Sequence, residues 1–132
     1  MITIIGSNGQ LGWELVRQGE ARGLKILALD YPEIDITDQA SIYARLDSAK
    51  IGLVINAAAY TAVDQAESEP EAAFAVNHTG PANLAKKCRD RHIPLIHVST
   101  DYVFDGTKKG AYVEEDPVAP LGVYGESKAA GE

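Results

Sequence analysis

The chain has 132 residues, 45% of them hydrophobic and 23% charged, which is room for one globular domain with a real core. Its net charge of -7 and scattered basic residues exclude a broad nucleic-acid footprint, since phosphate binding needs clustered Lys and Arg. Cys88 is the only cysteine, so neither an intrachain disulfide nor a cysteine metal cluster can form.

The opening MITIIGS lacks the basic start of a secretory leader. The longest apolar stretch, IGLVINAAAY, is too short to span a bilayer. A cytoplasmic setting without a membrane partner is expected.

Four short apolar runs recur along the chain: ITII (2–5), LKILAL (24–29), LVIN (53–56) and PLIHVS (94–99). Continuous Ile, Leu and Val runs of this length predict strands covered on both faces. Amphipathic segments separate them. Leu11, Leu15 and Val16 make one stripe between Gln10 and Arg22, and Ile42 and Leu46 make another between Asp38 and Ala49, with Thr37 or Asp38 as cap.

Ser68-Glu69-Pro70-Glu71 has capping-box spacing and predicts a third helix running toward Arg91. Pro81 would deprive the Asn77 carbonyl of its helical partner and kink that helix. Alternating strands and helices imply right-handed crossovers and a doubly wound parallel α/β sheet. Residues 100–123 contain Pro117, Pro120, Gly106 and Gly110 with little regular pattern, and so long a loop is expected to be functional or disordered.

The first strand runs into GSNGQLG, where Gly6, Gly9 and Gly12 are three apart. In such a turn the first glycine permits a sharp exit from the strand. The second lets backbone approach a pyrophosphate, and the third lets helix and sheet pack closely. The helix N-terminus then offers free N–H groups to the anion. Asp30 closes the second strand, where a carboxylate meets an adenosine ribose and favours NAD(H) over NADP(H). A solvated turn before Pro32 is the alternative for Asp30. The spacing differs from G-x-G-x-x-G, so the strand before it and the helix after it carry the assignment.

Four segments, GSNGQLGWEL, INAAAYTAVDQAESEP, HVSTDYVFDG and VYGESKAAGE, together resemble the dTDP-4-dehydrorhamnose reductase family of the extended short-chain dehydrogenase/reductases. The resemblance implies that residues 1–132 form an NAD(P)-binding Rossmann-like domain, with a sugar-nucleotide domain beyond residue 132. It implies reduction of the 4-keto group of a dTDP-sugar by NADH or NADPH. It places Thr100, Tyr124 and Lys128 in a catalytic trio.

A phenol ionises near pH ~10 in water, and a neighbouring ammonium favours its phenolate, which suits it to proton transfer. Tyr124 and Lys128, four apart on a helix, would share one face. Thr100 would orient the substrate oxygen, with Asp101 beside it on the substrate side. Gly9, Gln10 and Leu11 would border the pyrophosphate, and Asp35 and Ile36 the adenine. Ala59, Tyr60, Thr61 and Val98 would line the cofactor groove.

Glu14 matches a position used by some relatives in a Mg²⁺-bridged homodimer, although one carboxylate is no Mg²⁺ site and a helix-surface role is equally open. A dehydratase would carry a Glu after the Thr-Asp pair, where this chain has Tyr102, and an epimerase generally lacks the TDYVFDG loop. A non-catalytic subunit on the same fold is the remaining rival, and the 132-residue piece alone would lack half of its substrate pocket.

Overall fold

A computed structural model describes residues 1–47 and 50–132. Four parallel strands, β1 (Ile2–Ile5), β2 (Ile26–Leu29), β3 (Leu53–Asn56) and β4 (Leu95–His97), form one sheet in the order β2-β1-β3-β4. The chain steps one way from β1 to β2, then returns past β1 to β3 and β4. Such a reversal puts a crevice between the loops that follow β1 and β3. The expected parallel α/β architecture is present.

Register aligns Ile5 with Leu29 and Asn56, and Asn56 with His97, so these side chains share one face. Ile5, Leu29 and Val54 of that face pack with Ile42 and Leu46 of α2 (Gln39–Leu46) and with Leu84 and Cys88 of α5 (Gly80–Asp90). Each such aliphatic side chain gains about 1.5–3 kcal/mol by leaving water. The Cys88 thiol is 2% exposed, and burial pushes its pKa up.

The opposite face is covered over β1 and β2 by α1 (Gln10–Ala21), where Gly19 sits directly on the Ile26 side chain. Ile96 of β4 is 50% exposed on this side. Coverage of both faces was expected from the strand composition; it holds at Ile4 and Val54 and fails at Ile96, because α1 reaches only the first two strands. Leu11 likewise lies 45% exposed rather than in a core stripe with Leu15 and Val16.

Asp38 caps α2 by accepting from the Ala40 N–H at 2.9 Å. The predicted end of that helix at Ala49 falls outside the described residues. Lys87, buried on α5, donates to Asp47 beyond α2 and stands 3.8 Å from the centroid of the Tyr43 ring. Hydrogen bonds from Lys87, and secondarily Arg91, hold the Asp47 carboxyl below its usual range.

The third helical region departs from its expected form. A short α3 (Val63–Ala66) precedes α4 (Pro70–Phe74), and no capping box forms. Ser68 Oγ donates to the Gln65 carbonyl, while Glu69 accepts from Gln65 and from the Tyr60 hydroxyl. The interruption expected at Pro81 takes the form of a π-helical turn, Ala75–Thr79, between α4 and α5. Pro81 has no N–H for the Asn77 carbonyl, and that carbonyl instead lies against Gly131 of α6 (Val123–Gly131), where a Cβ would overlap it. Among the described residues no helix is long and apolar enough to cross a membrane.

Candidate functional site

A groove of about 790 Å³ opens at the carboxyl ends of β1, β3 and β4. Its floor is the glycine turn. Gly6 has φ +82°, and a Cβ there would lie 2.5 Å from the Ala58 nitrogen. A Cβ on Gly12 would overlap the Gly6 carbonyl oxygen, so Gly12 acts under the groove by packing and does not line it. Gly9 has ordinary φ, and its Cβ would find only the Gly6 oxygen at 3.5 Å; the space above it is the groove itself. The turn therefore leaves a backbone surface, flanked by the α1 N-terminus, that an elongated anion can approach.

Gln10, Leu11, Asp30, Asp35 and Ile36 line this groove, as do Ala59, Thr61 and Val98. Asp30 does more than face a ligand. Its Oδ2 accepts from the Asn8 N–H and its Oδ1 from the Tyr31 N–H, each at 2.7 Å, which fixes the turn from below. Asp35 accepts from the Thr37 N–H at 2.9 Å and the Thr37 hydroxyl at 2.7 Å, an Asx-type closure of the segment before α2. Tyr60 is the exception among the expected groove residues. Its hydroxyl donates to Glu69 at 2.8 Å, and its phenol pKa is pushed up by burial and then by that carboxylate.

α6 closes the far end of the groove. Lys128 is 2% exposed, and its ammonium donates to the Val98 carbonyl; burial pushes its pKa down, with Glu132 opposing. Tyr124 lines both the groove and a second cavity of about 510 Å³, which Asp101, Tyr102, Phe104 and Leu121 also border. Its ring meets Tyr102 edge-on at 5.5 Å. Gly125 lets α6 lie on the Tyr102 carbonyl, and Glu67 accepts from the Val123 N–H at 2.8 Å to hold the start of the helix.

Thr100 is not brought into either cavity. Its hydroxyl caps the 3-10 turn Asp101–Val103, accepting from the Tyr102 N–H at 3.3 Å and donating to Asp101. Tyr124 and Lys128 thus meet on the groove, with Asp101 on the second cavity. Glu14 also stands apart. Hydrogen bonds from Arg17 and then Gln18 pull its carboxyl down to about 2, and no group of three potential metal ligands occurs among the described residues.

Asn77 was not singled out by the sequence as a site residue, yet it ties the site together. Fully buried in the π turn, it accepts from the Tyr60 N–H at 2.8 Å and donates to the Tyr60 carbonyl and to Ser127 of α6, both at 3.0 Å. Ser127 in turn donates to the Tyr124 carbonyl at 2.8 Å. Its position four residues before Pro81 was the available signal.

The RmlD substrate binding domain family matches residues 1–132. The chain is 48% identical over 132 residues to the dTDP-4-dehydrorhamnose reductase of Aggregatibacter actinomycetemcomitans, covering 99% of this chain and 45% of that one. Among solved structures, the dTDP-4-dehydrorhamnose reductase of Clostridium acetobutylicum superposes with TM-score 0.94 at 38% identity, over 98% of this chain and 46% of that one. The Bacillus anthracis enzyme of the same name, solved in complex with NADP, gives TM-score 0.94 at 36% identity over the same shares. The chain thus spans about half the length of the relatives it matches. It belongs to the RmlD substrate binding domain family, alongside proteins named dTDP-4-dehydrorhamnose reductases.

Proposed function

We propose that this chain is the nicotinamide-dinucleotide half of a reductase acting on a 4-keto sugar nucleotide, dTDP-4-dehydrorhamnose, in the cytoplasm. The observation that carries the reading is Tyr124: one phenol borders both the glycine-floored groove and the second cavity, with the Lys128 amine buried beside the groove. The groove fits a dinucleotide because its glycine turn presents backbone where any side chain would obstruct, and because the α1 N-terminus opens onto it.

When bound, the reduced nicotinamide supplies a hydride to the sugar carbonyl. The chain's own residues do the rest. Gly9, Gln10 and Leu11 seat the pyrophosphate. Asp30 and Asp35 meet the adenosine end, and two carboxylates there favour the ribose diol of NADH over a 2′-phosphate. Tyr124 delivers a proton to the oxygen that gains charge, and Lys128 holds positive charge at the end of the groove. The second cavity, with Asp101 at its edge, takes the sugar. Thr100 would join the trio only if its hydroxyl left the 3-10 turn.

Because the matched relatives are about twice as long, the 132-residue chain is expected to bind cofactor without turnover. In a full-length polypeptide carrying this sequence, Tyr124→Phe lowers turnover of dTDP-4-dehydrorhamnose by about 10²–10⁴-fold and leaves NADH affinity within about twofold. Unchanged turnover overturns the assignment. Failure of the wild-type chain to bind either NADH or NADPH in a fluorescence titration overturns the groove.

A further inference from the structure

Ile5, Asn56 and His97 stand side by side at the ends of β1, β3 and β4, on the face covered by α5. Asn56 is fully buried, and its Oδ1 accepts from the Ala58 N–H at 3.1 Å. That bond fixes which way the amide points. Its Nδ2, a donor only, is left 3.0 Å from His97 Nδ1. With the amide so turned Nδ1 accepts, which puts the imidazole proton on Nε2, a buried atom with no hydrogen-bond partner among the described residues.

Ala58, at the head of this chain of bonds, lines the groove, and its nitrogen is the atom that bars a side chain at Gly6. We infer that His97 is a positioning residue of the dinucleotide groove: with its proton on Nε2, its Nδ1 accepts from the Asn56 amide and so secures the orientation in which Asn56 clamps the Ala58 backbone against the glycine turn. This rests on the dinucleotide reading above.

A second proton could enter only at Nδ1. The Asn56 amide would then have to turn its oxygen to the imidazolium and its NH₂ to the Ala58 N–H, setting two donors face to face. The imidazole is half-buried. Burial and then Lys128 of α6 keep its pKa below the ordinary value, and Glu132 of α6 opposes them. From α5 the titratable group turned to the sheet is the Cys88 thiol, itself pushed up and uncharged. Because the folded pKa is lowered, the clamp is intact above the ordinary histidine value and is lost as pH falls through the lowered one.

Two measurements on the 132-residue chain test this. Side-chain ¹⁵N NMR at about pH 7 should show His97 as the neutral Nε2–H tautomer; an Nδ1–H tautomer or an imidazolium overturns the proposal. Calorimetry with ADP-ribose should give wild-type affinity that is flat from about pH 8 to 7 and falls several-fold once the pH drops below the lowered histidine value.

His97→Asn keeps an acceptor near the Nδ1 position and cannot be protonated, so it should bind like wild type at neutral pH and lose the acid decline. His97→Leu should bind about tenfold more weakly at every pH, as expected for one lost buried hydrogen bond. A decline that persists in His97→Asn, or wild-type affinity in His97→Leu, overturns the clamp. If His97→Leu does not fold, the NMR and His97→Asn arms decide. Absence of ADP-ribose binding to the wild type at any pH, with the expected tautomer present, fails the dinucleotide reading and the positioning role with it.

Discussion

The glycine turn at residues 6–12 and the loop at residues 104–116 flank the two cavities that Tyr124 joins, and different forces hold them. The turn keeps its shape by backbone contact: Gly6 against Ala58, Gly12 against Gly6, with Asp30 tying Asn8 from beneath. The loop keeps its shape through carboxylates at the surface. Asp105 accepts from the Thr107 N–H at 3.0 Å, the Thr107 hydroxyl at 2.9 Å and the Tyr112 hydroxyl at 3.1 Å. Asp116 accepts from the Val113 N–H at 2.8 Å and from Lys108. The Phe104 and Tyr112 rings stack at 4.2 Å between them. Backbone packing itself carries no charge to titrate or screen, whereas the loop rests chiefly on exposed charge-assisted bonds that acid and salt weaken. The glycine-floored groove is therefore pre-shaped, and the second cavity is adjustable.

Overpacking the turn gives the largest expected effect. Gly12→Ala should cost about 3 kcal/mol in urea unfolding, at the upper end for an added core methyl, because the atom it strikes is backbone. A loss under about 1 kcal/mol would show that the turn yields. Asp30→Ala comes next. It strips the Asn8 and Tyr31 N–H groups of a charged acceptor and should lower stability by about 1–2 kcal/mol while weakening ADP-ribose binding.

Acid release of the loop should be the smallest and most local effect on stability. The Thr107 hydrogen bonds hold Asp105 below the usual carboxylate range, and the Lys108 bond does the same for Asp116. The loop is then fully held above the ordinary carboxylate value and is released as pH falls through the lowered ones. Amide exchange at Thr107 and Val113 should accelerate in that window before exchange at Ile4 or Val54 does. Simultaneous release would erase the contrast between the two segments.

What the sequence made legible followed from short-range chemistry. Continuous Ile and Val runs marked the strands, Asp38 marked the start of α2, and glycines between a strand and a helix marked the groove floor. What it concealed depended on partners outside the local motif. The capping box at Ser68 looked complete locally, yet the Ser68 hydroxyl turned back to the Gln65 carbonyl and the helix began only at Pro70. Pro81 announced an interruption, but Asn77 became the clamp through Tyr60, 17 residues before it, and Ser127, 50 after it. Thr100 sat in a resembling motif, and only the fold revealed its hydroxyl capping the next turn. Asn56, a polar residue ending an apolar strand, was the visible trace of a network that needed His97, 41 residues on, to make sense.

Cys88 sits within the Ile42, Leu46 and Leu84 cluster, and it is the sole sulfhydryl in the sequence. Shielded from reagents and biased toward its unreactive protonated form, it will be alkylated only when the sheet and α5 part company. The rate of that modification is thus a built-in clock for global opening. It needs no engineered label and is blind to motions confined to the carboxylate-held loop.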